Sequence, residues 1–172
     1  PSNMPAEHLE KTRVSMGKEK IVSRGELAAL ASKLREESCS IVTTNGSFDI
    51  VHYGHIHVLK EAKKQGDVLI VGVNSDSSIK SYKGADRPFI AEEMRIGLLA
   101  ALEMIDFVFL FKESDPRDFL EDIKPHVHVN SEEYGENCIE AETVLNNGGR
   151  LHLVARELPL STTLLVNKIR AS

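Results

Sequence analysis

The sequence predicts one α/β domain in which a mainly parallel sheet carries helices on both faces. Helix-like and strand-like stretches alternate from Ile21 onward, and alternation in units of roughly 30 residues implies right-handed crossovers between parallel strands. The length of 172 residues suits a single core. Residues 1–20 are polar and irregular, so we expect a flexible N-terminal tail followed by one domain over residues 21–172.

Local patterns place the elements in order. Ser23 and Glu26 form a capping-box pattern, in which each side chain satisfies the other residue's free amide, and it opens the first helix. Continuous apolar runs are typical of strands covered on both faces. Strands are predicted at residues 40–44, 68–73, 107–111, 126–129 and 151–154. Helices are predicted from Ser23, at residues 54–64, 92–102, 116–123 and 139–146, and from Ser161.

This order of elements corresponds to a Rossmann-like sheet, whose ligands bind beyond the carboxyl ends of the strands, near the point where the strand order reverses. The loops that follow the five strands are therefore the places to look for a site. Two local expectations accompany the fold. Asn45-Gly46 is a turn signal after the first strand, and Met94, Leu98 and Leu102 share one face of the helix at 92–102.

Composition narrows the class of protein. Apolar residues make up 41% and charged residues 27% of the chain, as in soluble globular domains. The formal charge is −5 and no long run of Lys and Arg occurs, which argues against a nucleic-acid partner. Cys39 and Cys138 stand in no metal-like or redox spacing, which favours a reducing, cytoplasmic location. No apolar run approaches the ~20 residues that a membrane span needs, so we expect no membrane partner.

The loop after the first strand has the physical features of a phosphate site. Gly46 lets the backbone approach a ligand, and a helix then begins with its free amides pointing outward. That end of a helix carries roughly half a positive charge. His52 and His55 stand three apart across the helix start, with Gly54 between them. Two imidazoles plus helix amides are a donor set suited to phosphate oxygens.

A metal cluster is the alternative interpretation of these histidines. His52 and His57 lie five apart and diverge on a helix, and no carboxylate or cysteine stands at ligand spacing in the same segment. The phosphate interpretation is therefore favoured, and no metal site built by the protein is predicted. The remaining histidines are interpreted as structural hydrogen bonders: His57, His126, His128 and His152.

A second candidate phosphate element lies near the C-terminus. Ser161 or Thr162 is a natural N-cap, so a helix begins here as well. The hydroxyls of residues 161–163, the free amides and the nearby Arg156 suit the terminal phosphates of a triphosphate. Most Ser-Thr-Thr clusters merely cap helices, so this element carries little weight by itself.

Three charged residues admit two interpretations each. Lys83 stands beside Gly84 in a polar stretch after a short helix, so it is either a mobile cation that closes over donor phosphates or a solvated surface lysine. Arg95 lies in an otherwise apolar helix and is either a lid over the phosphates or an exposed helix residue. Asp49 has no obvious charged partner, and we interpret it as a turn-shaping or backbone-bonding residue, with direct ligation as the alternative.

The run from Thr44 to His55 resembles the signature of the cytidylyltransferase-like nucleotidyltransferases, in which two histidines and a Ser-Thr-Thr element bind the donor phosphates. Over residues 21–170 the chain is most similar to the adenylyltransferase domain of bacterial heptose-1-phosphate enzymes, followed by glycerol-3-phosphate cytidylyltransferase. The matching stretches are Asn45-Gly46-Ser47-Phe48-Asp49, Val73-Asn74-Ser75-Asp76, Lys83-Gly84, Arg87-Pro88, Glu93-Met94-Arg95, Leu99-Ala100-Ala101-Leu102-Glu103 and Asn147-Gly148-Gly149.

The resemblance implies a role for each candidate residue. The residues expected to be catalytic are His52, His55 and Lys83. Those expected to bind nucleotide are Thr44, Asn45, Gly46, Ser47, Phe48, Gly54, Arg95, Asn130, Glu133, Ser161, Thr162 and Thr163. Those expected to bind the acceptor are Asp49, Asp76, Arg87 and Arg156. The resemblance also implies Mg²⁺ carried with the nucleoside triphosphate, and a homodimer.

The implied reaction is transfer of AMP from ATP to a sugar 1-phosphate, with D-glycero-β-D-manno-heptose 1-phosphate as the expected acceptor and pyrophosphate as the second product. At the positions that discriminate between ATP and CTP as donors, the sequence mixes features of both relatives. Residues 130–134 depart from the Lys-Gly-Gly-Asp-Tyr-like stretch of the adenylyltransferases, and Pro159 stands where both relatives have glycine. Arg156 resembles the arginine that precedes Ser-Thr-Thr in glycerol-3-phosphate cytidylyltransferase. An enzyme that uses CTP and a polyol phosphate is therefore the alternative.

Two other functional classes are disfavoured by single features. A nucleotide-binding regulatory domain without catalysis has no need for both His52 and His55, which this chain retains. A dinucleotide-dependent oxidoreductase requires a G-x-G-x-x-G turn after the first strand, and that motif is missing.

Overall fold

The computed structural model describes residues 20–113, 115–155 and 162–171. The predictions on residues 1–19, Arg156, Pro159 and Ser161 therefore lie outside the described residues. The strands are β1 Ile41–Gly46, β2 Val68–Asn74, β3 Phe107–Phe111, β4 Val127–Ser131 and β5 Arg150–Val154. The α-helices are α1 Leu27–Glu36, α2 Tyr53–Lys63, α3 Asp76–Lys83, α4 Glu92–Ala100, α5 Arg117–Ile123, α6 Ala141–Asn146 and α7 Thr162–Arg170.

The five strands form one sheet in the order β3-β2-β1-β4-β5, and every neighbouring pair runs parallel. The chain thus builds outward from β1 through β2 to β3, and then returns to the other side of β1 to add β4 and β5. The order reverses between β1 and β4, which makes their carboxyl ends the expected place for a ligand. The predicted parallel α/β architecture is confirmed.

Helices cover both faces of the sheet, as predicted. On one face Leu59 of α2 and Leu99 of α4 belong to a buried apolar cluster with the strands. On the other face a second cluster contains Leu27 of α1, Phe119 of α5 and Val144 of α6. Because each strand side chain points to the face opposite to its neighbour's, the apolar strands predicted from continuous runs supply both clusters.

The start of the chain's first helix follows its capping pattern. The Ser23 amide donates to the Glu26 carboxylate at 2.8 Å, and the Ser23 hydroxyl does so at 2.6 Å. A short 3₁₀ turn over Arg24–Glu26 then leads into α1. The sheet region begins slightly earlier than the predicted domain boundary at residue 21, since the Val108 amide donates to the Lys20 carbonyl at 2.8 Å.

One local prediction is wrong: Asn45 and Gly46 do not form a turn, because they pair with β2 and complete β1. Met94 and Leu98 share one face of α4, as predicted, but that face is exposed: Met94 is 70% exposed, while Arg95 is 1% exposed. The helix presents Arg95 and the residue one turn later, Leu99, to the interior, because the guanidinium finds buried partners there. Among the described residues, no helix has the length and apolar character to span a bilayer.

Candidate active site

A pocket of about 250 Å³ opens at the carboxyl ends of β1, β4 and β5, beside the point where the strand order reverses. This volume is close to the lower end of the range for small-ligand pockets, about 300–1,000 Å³. The candidate residues on its wall are Thr44, Asn45, Gly46, Ser47, Phe48, His52, Gly54, His55, Lys83, Asn130, Glu133, Thr162 and Thr163. The sequence therefore identified most of this wall, although residues 156–161 lie outside the described part of the chain.

The two predicted histidines lie against one another at the start of α2. Their ring centroids are 4.0 Å apart. The Gly54 amide donates to Nδ1 of His52 at 3.1 Å, and the His52 amide donates to Nδ1 of His55 at 3.3 Å. An Nδ1 atom that accepts a hydrogen bond carries no proton, so in each neutral ring the proton is on Nε2. Each imidazole can therefore donate through Nε2 to a ligand in the pocket.

The electrostatic environment keeps His55 uncharged. Burial, followed by the proximity of His52 and Lys83, lowers the pKa of His55 to about 4. At neutral pH this imidazole is a neutral hydrogen-bond donor rather than a cation. It stands in the first turn of α2, at the end of a helix where the macrodipole favours an anion. His55 is thus set to bind an incoming anion without first holding a charge of its own.

The backbone before the histidines takes an unusual conformation. Phe48 is buried and has φ +45°, a left-handed region that non-glycine residues rarely occupy. Its ring packs against His55 with centroids 5.4 Å apart. A Cβ atom placed on Gly46 would lie 3.3 Å from the same ring, so glycine at this position gives Phe48 its space. Such strained residues persist where the surroundings over-determine them, commonly at functional sites.

Lys83 supplies the one lysine or arginine side chain among the described residues of the pocket wall. It is the last residue of α3, rather than lying beyond a helix as predicted, and its Nζ donates to the Ser47 hydroxyl at 2.9 Å. Loss of hydration, together with repulsion from Arg87 and Arg95, lowers the pKa of Lys83, and Asp49 opposes this shift. An anion in the pocket would restore favourable surroundings to this ammonium group.

The remaining wall is formed at the carboxyl ends of β4 and β5 and at the N-terminal end of α7. Asn130, near the end of β4, and Glu133, in the short 3₁₀ turn that follows β4, lie on this wall. Thr162 begins α7, and its hydroxyl lies 3.5 Å from the Ile50 carbonyl. The Ser-Thr-Thr element and the two-histidine element, which are far apart in sequence, thus contribute to one pocket through Thr162 and Thr163.

Asp49 and Arg87, predicted to bind an acceptor, lie behind this wall instead of on it. The Asp49 carboxylate is 3% exposed. Its Oδ2 accepts from Arg87 at 2.7 Å, and its Oδ1 accepts from the Phe89 and Ile90 amides at 2.7 and 3.0 Å. The expectation that Asp49 lacks a charged partner is wrong, because Arg87 lies 38 positions away in the chain. The expected backbone-bonding role is confirmed.

Arg95 and Asp76 also lie behind the wall. Arg95 is neither an exposed helix residue nor a lid, since its guanidinium is buried and fully engaged. It donates to the Ser47 carbonyl at 2.5 Å, the Ile90 carbonyl at 2.9 Å and the Asp76 carboxylate at 2.7 Å. The sequence offered one signal for this position, a single arginine among apolar residues of a helix.

Sequence reasoning missed several residues of the wall: Tyr53, His57, Val58, Val154 and Ala155, whereas Ser131 and Tyr134 lie in the stretch already named as discriminating between donors. His57 was interpreted as structural, yet it lines the pocket and stacks on Tyr53 with ring centroids 6.4 Å apart. Its position one turn after Tyr53 on α2 was the available signal. His126 is structural as predicted, because its Nδ1 accepts from the Ile41 amide at 2.9 Å. In the described ranges, no three His, Cys, Asp or Glu side chains are grouped as metal ligands.

Comparison with known proteins assigns the family. The family model described as cytidylyltransferase-like matches residues 43–169. The chain belongs to the cytidylyltransferase-like family. Its relatives include the bifunctional protein HldE of Geotalea uraniireducens, 41% identical over 152 residues, and that of Campylobacter jejuni subsp. doylei, 40% identical over 151 residues. Each alignment covers 88% of this chain but 31% and 32% of the relative, respectively, so the chain spans about a third of their length.

Solved structures agree with this family. The lipopolysaccharide core biosynthesis protein from Thermoplasma volcanium is 33% identical with a TM-score of 0.57, and the match covers 69% of this chain and 97% of that protein. Pantoate-beta-alanine ligase from Francisella tularensis has a TM-score of 0.63 at 17% identity, over 92% of this chain and 79% of the ligase. At that identity the ligase shows the shared fold alone.

Proposed function

We propose that this chain transfers AMP from ATP to a sugar 1-phosphate, with D-glycero-β-D-manno-heptose 1-phosphate as the acceptor, and releases pyrophosphate. The observation that carries the proposal is the paired imidazoles of His52 and His55 on the pocket wall, whose Nδ1 atoms accept backbone amides, so that the proton of each neutral ring is on Nε2. The family and the similarity to HldE proteins support the reaction class and the acceptor.

The proposed step is a direct displacement at phosphorus. An oxygen of the acceptor phosphate attacks the α-phosphorus of ATP, a new P–O–P linkage forms, and the bond to the β-phosphate oxygen breaks. Pyrophosphate leaves with that electron pair. The acceptor supplies its own anionic nucleophile, so the protein's work is alignment and stabilisation of the charge that grows on phosphate oxygens. His52 and His55 donate to those oxygens, and Lys83, on the same pocket wall, adds a positive charge.

Mg²⁺ fits this site as an ion that arrives with the triphosphate. Glu133 is the single carboxylate among the described residues of the pocket wall, whereas a cage for a hard divalent cation uses several oxygen ligands. When bound, the ion would neutralise phosphate charge. His52, His55 and Lys83 would still orient the phosphate chain, because their donors act on its oxygens directly.

A cytoplasmic location and a homodimer complete the proposal. The homodimer is supported by the exposed apolar side chains of Phe89, Met94 and Leu98, which lie on or just before α4. Apolar surface of this kind is enriched where subunits associate. Analytical ultracentrifugation should give a mass near twice the 19.1 kDa of the chain, and a single species at the monomer mass would contradict this part.

The activity test is a donor-by-acceptor matrix on the purified chain with Mg²⁺, read by pyrophosphate release. The donors are ATP, CTP, GTP and UTP; the acceptors are heptose 1-phosphate and glycerol 3-phosphate. We expect turnover with ATP and heptose 1-phosphate. Turnover restricted to CTP and glycerol 3-phosphate would instead establish the cytidylyltransferase alternative, and no release from any pair would support a binding domain without catalysis.

A further inference from the structure

We infer that Asp49 is a positioning residue for Lys83 and makes no contact with the acceptor. The inference rests on the proposed function, because it concerns how one cation of that pocket is held. Three sets of hydrogen bonds join the loop after β1 to the end of α3 and the segment that follows it. Lys83 donates to Ser47, and Asp49 accepts from Arg87 and from the Phe89 and Ile90 amides. Arg95 of α4 donates to the carbonyls of Ser47 and Ile90 and so bridges the two.

Lys83 depends on its neighbours for its place. It ends α3, and the next residue, Gly84, has φ +96°, which is a conformation that side-chain-bearing residues rarely adopt. The chain therefore turns sharply just beyond the lysine. Lys83 is also exposed at the mouth of the pocket. In the proposed arrangement, the segment that follows Gly84, which is joined directly to Lys83, sets where its ammonium lies.

Asp49 fixes that segment. Both carboxylate oxygens are occupied, one by the Arg87 guanidinium and the other by two consecutive backbone amides, those of Phe89 and Ile90. Arg87 in turn packs on the Phe89 ring with its guanidinium carbon 4.2 Å from the ring centroid. A carboxylate with this number of donors is held in one orientation, and pulling it away would leave a buried charge unpaired.

The same arrangement explains why Asp49 does not act as an acceptor ligand. It is nearly inaccessible, absent from the pocket wall and already saturated with donors. Its charge is matched by Arg87, so the pair adds little net field to the pocket and does not repel an anionic acceptor. The carboxylate acts through the backbone that it holds.

A double-mutant cycle tests the inference. Lys83→Ala should lower kcat by about 10²–10³, and Asp49→Asn, which removes the charge pair, by about 10–100-fold. The double variant should be no slower than Lys83→Ala, because a misplaced lysine and a missing lysine fail in the same way. The acceptor KM should stay within about twofold of the wild-type value in Asp49→Asn.

Asp67→Asn is the matched control. The Asp67 carboxylate also accepts hydrogen bonds from a backbone amide and a hydroxyl, both of Ser40, at 2.8 and 2.6 Å. It lies just before β2, at the amino ends of the strands, whereas the pocket lies at their carboxyl ends. Its kcat should match that of the wild type. If Asp49→Asn does not fold by circular dichroism, Arg87→Ala replaces it in the same cycle with the same expectation.

Two results would overturn the inference: losses in kcat that multiply in the double variant, or an acceptor KM that rises at least about tenfold in Asp49→Asn with kcat intact. ATP affinity, measured by calorimetry, repeats the cycle without turnover, and the Lys83→Ala loss should be smaller in the Asp49→Asn background than in the wild type. A wild-type chain that binds ATP but releases no pyrophosphate refutes the proposed function, while the binding cycle still decides the role of Asp49.

Discussion

The two sides of the loop after β1 are built from opposite kinds of polar group. The side that faces the pocket presents the imidazoles of His52 and His55, with their Nδ1 atoms bonded to the backbone. The side that faces the interior is held by ions, with Arg95 on the Ser47 carbonyl and Arg87 on the Asp49 carboxylate. Charged groups thus fix the interior side of the loop, while its pocket side presents imidazole donors.

This difference has a physical reason. A buried charge must be paired and hydrogen-bonded, so buried ions tolerate few alternative arrangements and give the loop a defined shape. A group that must bind an anion needs donors that are not already neutralised by a protein carboxylate. Imidazole donors at a helix N-terminus meet that need, and their surroundings favour an anion once it arrives.

The largest effect is expected from removing one of the two imidazole donors on the pocket side of the loop. His52→Ala and His55→Ala should each lower kcat by about 10²–10³, equivalent to about 3–4 kcal/mol of transition-state stabilisation, because each loses one preorganised donor to the phosphates. His152→Ala, which changes a histidine of β5 outside the pocket wall, should keep the wild-type rate. Near-normal turnover in either pocket variant would refute the assignment of both rings.

Removal of one of the charged side chains on the interior side of the loop, the rear ions, should lower the stability of the fold. Arg95→Met should lower the free energy of unfolding by about 2–4 kcal/mol, because the Ser47 and Ile90 carbonyls lose a buried donor. Met94→Ala is the control on the same helix: Met94 is largely exposed, so its change should stay within about 0.5 kcal/mol. Urea unfolding followed by circular dichroism measures both. Equal stability for the two variants would show that the rear ions do not hold the loop.

The sequence predicted the residues on the pocket side of this loop well, but it did not predict the ion pairs on its interior side. The histidines follow a strand and open a helix within a dozen residues, so their chemistry is readable from local spacing. The partners of the rear ions are remote: Arg87 meets Asp49 across 38 positions and Arg95 meets Ser47 across 48. Such pairs depend on how α3 and α4 pack, which no local pattern encodes.

The same distinction explains the errors in the fold. Strands and helices with continuous or periodic apolar runs were found with small shifts at their ends, because burial on the sheet dominates there. Apolar spacing puts Met94, Leu98 and Leu102 on one face of the helix at 92–102, and burial of apolar surface alone would turn that face to the core. The buried guanidinium of Arg95 reverses that choice, since it satisfies three acceptors at once.

Acid should reveal a smaller difference, between a buried histidine in the pocket and one in the core. The pKa of His55 is lowered to about 4, and burial lowers that of His128 to about 3. In the unfolded chain both titrate near 6.5, so the unfolded state binds more protons below that pH and stability falls as the pH falls. Between pH 6 and 5, each contributes a slope of up to about 1.4 kcal/mol per pH unit.

His55→Gln removes one of these protons and should reduce the slope of unfolding free energy against pH accordingly, measured by urea titrations at pH 6.0, 5.5 and 5.0. The carboxylates with lowered pKa values, such as Asp67 and Glu113, lose their contribution only below this window. Bound ATP should also flatten the slope in the wild type, because phosphate oxygens near His55 favour its protonated form, whereas His128 stays beyond their reach. An ATP effect of equal size in His55→Gln would mean that the triphosphate lies elsewhere than on this imidazole.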